Sequence, residues 1–129
     1  ILDCIKFIEK NEAKFIKQKN NNVSYANKIS KPEAEINWRE NSSKILSKIN
    51  ALNPNPGAWF EFKKKRYKVW EASIVDKKGK PGTLIGENLI IACGDKSIKI
   101  NIIQKEGKNK ISAESFIKGN KIFKGENLV

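Results

Sequence analysis

The side chains in this sequence that could do chemistry are lysines. Lys28 and Lys31, the run Lys63-Lys64-Lys65-Arg66 with Lys68, and Lys105, Lys108 and Lys110 gather ten cations into three short stretches. Ammonium groups attract phosphates at range and release condensed counterions, a contribution blind to sequence. Catalytic partners are missing. With no histidine in the chain, Ser and Thr have no imidazole to activate them, and no metal-ligand cluster stands out. The glycines form no phosphate-loop pattern. Glu33 and Glu35 are a close pair of carboxylates, but on a polar segment such a pair is simply solvated, and Lys77-Lys78-Gly79-Lys80 reads as a solvated turn.

Composition points the same way. Lys and Arg number 26 against 14 acids, a net charge of +12, and only Arg39 and Arg66 are arginines. A coding bias toward Lys, Asn and Ile explains lysine replacing arginine, but explains less well an excess of bases over acids. The excess favours an anionic partner, nucleic acid foremost. At 129 residues the chain has enough length for one core and hardly for two. Ile1 is not a start methionine and no Met is present, so the sequence reads as a fragment or processed chain. No apolar run approaches the roughly 18 residues needed to span a bilayer, so no membrane is expected. Cys4 and Cys93 lie far apart within apolar runs, which predicts two buried free thiols in a reducing compartment.

The elements that must position these cations turn on one corner, Ala51-Leu-Asn-Pro-Asn-Pro-Gly-Ala-Trp-Phe60. Before it, Ile45, Leu46, Ile49 and Leu52 recur at helical steps, predicting a helix from Asn41 or Ser42, either of which can cap it, to Leu52. At the corner, Pro54 and Pro56 lack amide donors and push Asn53 and Asn55 toward extended backbone, while Gly57 can take φ > 0. After it, β-rich composition predicts strands near Ala58–Lys63, Arg66–Val75, Thr83–Ile85, Asn88–Cys93 and Ser97–Lys105. Turns are expected at Lys64-Lys65, Lys77-Lys78-Gly79 and Cys93-Gly94-Asp95. In the last strand Ile98, Ile100 and Ile102 alternate with polar residues and should share the buried face. Upstream, Ile1, Leu2, Cys4, Ile5, Ile8, Phe15 and Ile16 predict a helix over Ile1–Lys17 with an apolar side that needs a partner. A polar segment follows, pinned by Tyr25 and Ile29, with Ser30 and Glu33 at capping-box spacing before a short turn. Downstream, a helix over Ser112–Lys118 should stop at Gly119 in an αL cap, and Ile122 and Phe123 should belong to a last edge strand. The expected class is α+β, mainly β: an OB-like Greek-key barrel preceded by a linker and an N-terminal helix.

Trp38, Trp59 and Trp70 fall in apolar company and are assigned to packing, against base-stacking recognition. Gln104, Gly107 and Phe116 read as a strand end, a tight turn and a helix anchor.

In chain order, Ser24-Tyr-Ala-x-Lys28-Ile, Ile36-x-Trp38, Ile49-x-Ala-Leu-Asn-Pro-x-Pro-Gly-Ala-Trp59, Pro81-Gly82, Ala92-Cys-Gly94, Gln104-x-x-Gly107-Lys108 and Phe116-x-x-Gly119 together resemble the C-terminal third of the methionyl-tRNA formyltransferases. The likeness runs from Val23 to Gly119, and Asn55 stands where that family commonly has an aromatic. The resemblance implies three parts: residues 1–18 as the last helix of a preceding catalytic domain, 19–35 as an inter-domain linker, and 36–129 as an OB-like tRNA-binding domain. It further implies that linker and barrel line the inside of the tRNA's L, with Lys28 at the family's linker lysine. Formyl transfer from 10-formyltetrahydrofolate to methionyl initiator tRNA would belong to the upstream domain, with no cofactor held here. A monomer in the bacterial cytoplasm, or in an organelle, is expected. Two other readings stay open: the related domain of a sugar- or folate-directed formyl-handling enzyme, and a stand-alone nucleic-acid-binding OB module.

Overall fold

The computed structural model describes residues 1–17, 19, 21, 23–120 and 124–128. In order come α1 (Leu2–Glu9), a 3₁₀ turn (Pro32–Ala34), α2 (Ser42–Leu52), β1 (Trp59–Phe62), β2 (Lys65–Val75), β3 (Leu84–Gly86), β4 (Ile90–Ala92), β5 (Ser97–Lys105), β6 (Lys110–Ser112) and α3 (Ala113–Asn120). The class is α+β, an antiparallel sheet with three α-helices.

Helix α1 is far shorter than the apolar spacing predicts. Asn11 has φ 58°, and the Asn11 and Glu12 amides donate to the carbonyls of Ile8 and Phe7. This is the Schellman pair of bonds that closes a helix, with Asn tolerating the left-handed position that usually takes glycine. Phe15 and Ile16 therefore lie past the helix and exposed, and Leu2, Ile5, Phe7 and Ile8 form an uncovered stripe. Cys4 sits on this exposed helix, so only Cys93 is the buried thiol that was expected of both.

Ser30 and Glu33 make half a capping box. The Glu33 carboxylate accepts from the Ser30 amide at 3.4 Å and from its hydroxyl at 2.7 Å, and a single 3₁₀ turn follows. Ala34 is fully buried, and the Ile36 amide donates to the Trp59 carbonyl at 2.7 Å, fastening this stretch to β1. In α2 the stripe Ile45, Ile49 and Leu52 is buried as its spacing requires. Its cap is not local: Asn41 makes no side-chain cap bond, and the Ser42 amide is taken by Asp95 Oδ1 at 2.7 Å across 53 residues of sequence. Gly94 permits that reach, because a Cβ there would lie 2.5 Å from the Arg39 carbonyl oxygen. After α2 the corner turns as predicted, with Asn53 extended at φ −77° and ψ 141° and Gly57 at φ 80°.

The sheet runs β1-β2-β5-β4-β3, and β6 also pairs with β5. The consecutive strands β3, β4 and β5 with β2 returned beside β5 give the Greek-key order. No strand pairing joins β1 to β3 among the described residues; instead the β3 edge is extended by the C-terminal segment. There the Leu84 amide donates to the Glu126 carbonyl, Gly125 to Leu84 and Leu128 to Gly82. Ile122 and Phe123, expected in an edge strand, lie outside the described residues. The β1–β2 hairpin turns at Lys63-Lys64, one residue earlier than expected, with φ 50° and 58°. Strand β6 was not foreseen, and α3 runs through Gly119 to Asn120, so Gly119 is no αL stop.

The core lies between α2, α3 and one face of the sheet. An aromatic series crosses it, from Trp38 to Phe60 at 5.5 Å between ring centroids, Phe60 to Tyr67 at 5.8 Å and Tyr67 to Phe116 at 5.2 Å, spacings at which ring pairs attract. Along β5 the buried isoleucines are Ile98, Ile100 and Ile103 rather than Ile102. The β2–β5 register shifts twice, between Val69 and Glu71 and between Glu71 and Ala72. Each bulge inserts a residue and reverses the inward-facing phase beyond it.

Candidate nucleic-acid interface

Strand β2 alternates across the sheet. Tyr67 and Val69 enter the core, while Arg66, Lys68 and Trp70 are half-buried on the opposite face. Register extends that outer face into a row, because Lys68 lies opposite Trp59 on β1 and opposite Gln104 on β5, and Gln104 lies opposite Lys110 on β6. Directly paired residues share a face, so β-pairing alone brings Trp59, Lys68, Gln104 and Lys110 together, with Arg66 at the next outward position. The unforeseen strand β6 is what places Lys110 there.

A chain of hydrogen bonds holds the row. Asn53 Nδ2 donates to the Trp70 carbonyl at 2.8 Å, Trp70 Nε1 to Gln104 Oε1 at 2.8 Å, and Gln104 Nε2 to the Lys108 carbonyl at 2.6 Å. The Lys110 ammonium sits 3.3 Å from the Trp70 ring centroid, a cation on the electron-rich face. Gln104 lies near the end of β5 with both ends of its side-chain amide engaged, and Gly107 turns the chain at φ 71°. Trp38 and Trp59 are buried. Trp70 is not a core residue: it is half-buried on the cationic face, in step with Arg66 and Lys68.

Above this row lies the linker turn. Trp59 Nε1 donates to the Lys31 carbonyl at 3.1 Å, and the Arg66 guanidinium carbon is 4.0 Å from the Trp59 ring centroid. Between turn and sheet is a cleft of about 350 Å³ walled by Lys31, Pro56, Arg66, Lys68, Gln104 and Glu106 among others. Of the cations singled out from sequence, Lys31, Arg66 and Lys68 meet here, and Lys108 and Lys110 continue from it. Lys28 is exposed on the segment that leads in. Lys64 and Lys65 stand at the hairpin end, exposed. Lys105 lies opposite Tyr67 and so faces the other side of the sheet. Lys63 is already engaged, 2.8 Å from Glu126 and 4.7 Å from the Phe62 ring centroid. It is the one cation of the ten in an ion pair among the described residues. The signal that would have found the cleft is the alternation of Arg66, Lys68 and Trp70 against Tyr67 and Val69; Glu106 and the Asn53 side chain carried no such signal.

Titration adds little here. Burial pushes the Tyr67 hydroxyl up, against the opposing field of Lys63, and burial lifts the Cys93 thiol to about 11. Neither group is on the outer face, and no cluster of three or more His, Cys, Asp or Glu side chains able to hold a metal occurs among the described residues.

The profile of the formyl transferase C-terminal domain family matches residues 28–121. The chain belongs to this family. Among curated proteins similar to this formyl transferase C-terminal domain is the methionyl-tRNA formyltransferase of Pelagibacter ubique. It is 40% identical over 129 residues, covering 99% of the chain and 42% of that protein. That of Rhodopseudomonas palustris is 38% identical over 92% of the chain and 39% of the protein, and that of Rickettsia massiliae is 40% identical over 84% and 37%. The chain therefore spans about two fifths of the length of these relatives. Among solved structures, HypX from Aquifex aeolicus superimposes with a TM-score of 0.66 at 21% identity over 97% of the chain and 23% of HypX. A HypX complex with tetrahydrofolic acid gives 0.64 over 90% and 22%. These two likenesses establish the shared fold of the formyl transferase C-terminal domain.

Proposed function

We propose that this chain is the tRNA-holding, non-catalytic portion of a methionyl-tRNA formyltransferase, working as a monomer in the cytoplasm of a bacterium or in an organelle. The whole protein moves a formyl group from 10-formyltetrahydrofolate to the amino group of methionyl initiator tRNA, and an upstream domain performs that step. No helix among the described residues is long and apolar enough to cross a membrane.

One observation carries the reading. Lys31, Arg66, Lys68, Lys108 and Lys110 surround one face of a rigid sheet, and none of them is in an ion pair among the described residues. Unneutralised cations fixed by strand register suit phosphates at set spacings, and contacts of that kind position an RNA without reading its bases. The tryptophans support the same reading. Trp38 and Trp59 are covered and Trp70 carries Lys110 across its ring, leaving little tryptophan surface on the sheet for unpaired bases and weighing against a stand-alone single-strand binder. The larger cleft, about 700 Å³ beside Trp38, includes Glu35 and Glu61 in its walls. Those carboxylates would repel the anionic tail of a folate, which supports placing the formyl donor upstream. The uncovered stripe on α1 fits the surface of that upstream domain.

The test is tRNA affinity of the chain across a salt series. Log affinity should fall linearly with log salt, by roughly 0.7–0.9 for each phosphate contacted, and removal of Lys108 and Lys110 should flatten that line. Affinity indifferent to salt, or no binding at low salt, would end the RNA reading. In the whole enzyme Lys28→Ala should weaken use of tRNA while folate binding stays as it was; unaltered tRNA kinetics would remove Lys28 from the interface.

A further inference from the structure

Arg66 is placed as no other cation of the chain is. Its Nε is buried without a hydrogen-bond partner, its guanidinium carbon sits over the Trp59 ring, 4.0 Å from the centroid, and it lines the cleft beneath the linker turn. The covered Nε marks how closely the guanidinium is packed in the cleft wall, which leaves its terminal nitrogens as the donors for a ligand. Glu106 shares the cleft wall, yet no carboxylate among the described residues comes within 4.0 Å of the guanidinium. The planar fork of an arginine stacked on an aromatic ring is pre-organised to grip two oxygens of a phosphate, a geometry a lysine cannot supply. Lys68 stands beside it with its stem packed along Gly57, where a Cβ would lie 3.1 Å from Lys68 Cδ.

The roof of this cleft is made by the linker. Trp59 is held from above by the Lys31 carbonyl, and the turn is fixed by the Ala34 amide bond to that same Lys31 carbonyl and by the Ile36 amide on Trp59. We propose that a backbone phosphate of the bound RNA seats on the Arg66 fork, and that docking of the 31–34 turn on Trp59 completes the seat, so that RNA binding and linker docking reinforce one another. This rests on the RNA reading above and assigns within it one phosphate and one conformational coupling. The coupling follows from linkage: a ligand that binds only the docked form raises the population of that form.

The experiment measures tRNA affinity of the full chain, with Arg66→Lys, Trp59→Phe, the double variant and the charge control Lys108→Ala/Lys110→Ala. Arg66→Lys keeps the charge and removes the fork; affinity should drop about tenfold or more, with the salt slope nearly unchanged. Trp59→Phe keeps a ring under Arg66 and removes the bond to Lys31. It should lower affinity and speed amide exchange at Ala34 and Ile36, and the double variant should lose less than the two single losses multiplied. Should Trp59→Phe prove unfolded, Arg66→Lys alone decides. An Arg66→Lys chain that binds like the wild type while the charge control weakens binding overturns the seat and leaves the RNA reading standing. Loss of salt-dependent binding in every chain, the wild type included, removes both. Inorganic phosphate serves as the remaining arm: competition with tRNA at sub-millimolar phosphate would make the free ion the ligand and overturn the assignment to RNA.

Discussion

At the scale of single residues, Asp95 joins two parts of the chain that are far apart in sequence. Its Oδ1 takes the Ser42 amide and the Lys96 amide, both at 2.7 Å, so one carboxylate closes its own turn and caps a helix that begins far upstream. These amide bonds hold its pKa below the ordinary value of 3.8. A carboxylate whose folded pKa is depressed adds stability that is present above the unfolded value and lost as pH falls through the folded one. Asp95→Asn should therefore lower the melting temperature at neutral pH. The gap to wild type should narrow on acidification below about pH 3.8; a gap that stays constant down to pH 2 would show that charge on Asp95 is irrelevant. Arg66 and Asp95 share a property that a list of residue types does not reveal. Each matters for the partner that tertiary structure brings to it, one an indole and the other a remote helix end.

At the scale of elements, the β1–β2 hairpin carries two lysines in left-handed backbone, where such turns take Asn and Gly. A side chain in this region costs about 1–2 kcal/mol, more than the entropy that glycine would lose on folding. Lys64→Gly should raise stability by about 0.5–1 kcal/mol in denaturant titration; Lys63 is left alone because it holds Glu126. Much of this level was legible in the sequence. Helix α2, the proline corner, and β1 to β5 follow from periodicity and from residues whose backbone preferences are strong. What was missed has physical causes. The Schellman closure at Asn11 overrides an apolar pattern that continues past it, and paired bulges shift β5 by one residue, moving Ile102 out and Ile103 in. Strand β6, with only Lys110-Ile111-Ser112, is too short to have a period of its own and exists because β5 offers it an edge. The candidate site was legible as charge and not as a surface. Nothing in the spacing of Lys31, Arg66 and Lys110 says that they lie together until the register of four strands is known.

At the scale of the whole molecule, the exposed apolar side chains are concentrated at one end of the chain, among lysines of its own, and are largely missing from the cationic sheet face. The sheet's outer face and linker turn carry unpaired lysines and Arg66, while the exposed apolar side chains concentrate on and beyond α1, before residue 30. Such a division suits a module that meets an RNA on one side and protein on another. Holding it together is β5, which is bonded to β2 along its whole length and, on its other edge, to β4 from Ser97 to Lys99 and to β6 from Ile102 to Gln104. Every other strand can peel from the sheet by breaking fewer ladders than β5 must break. Local openings should therefore spare it, and in native-state hydrogen exchange the amides of Ile98, Ile100 and Ile103 should exchange last, at the rate set by global unfolding. If instead amides of α2 outlast them, the helix rather than the strand is the final structure to yield. Strand β5 is on that expectation the clock of the domain, setting how long the surface built on its outer face persists before the whole molecule lets go.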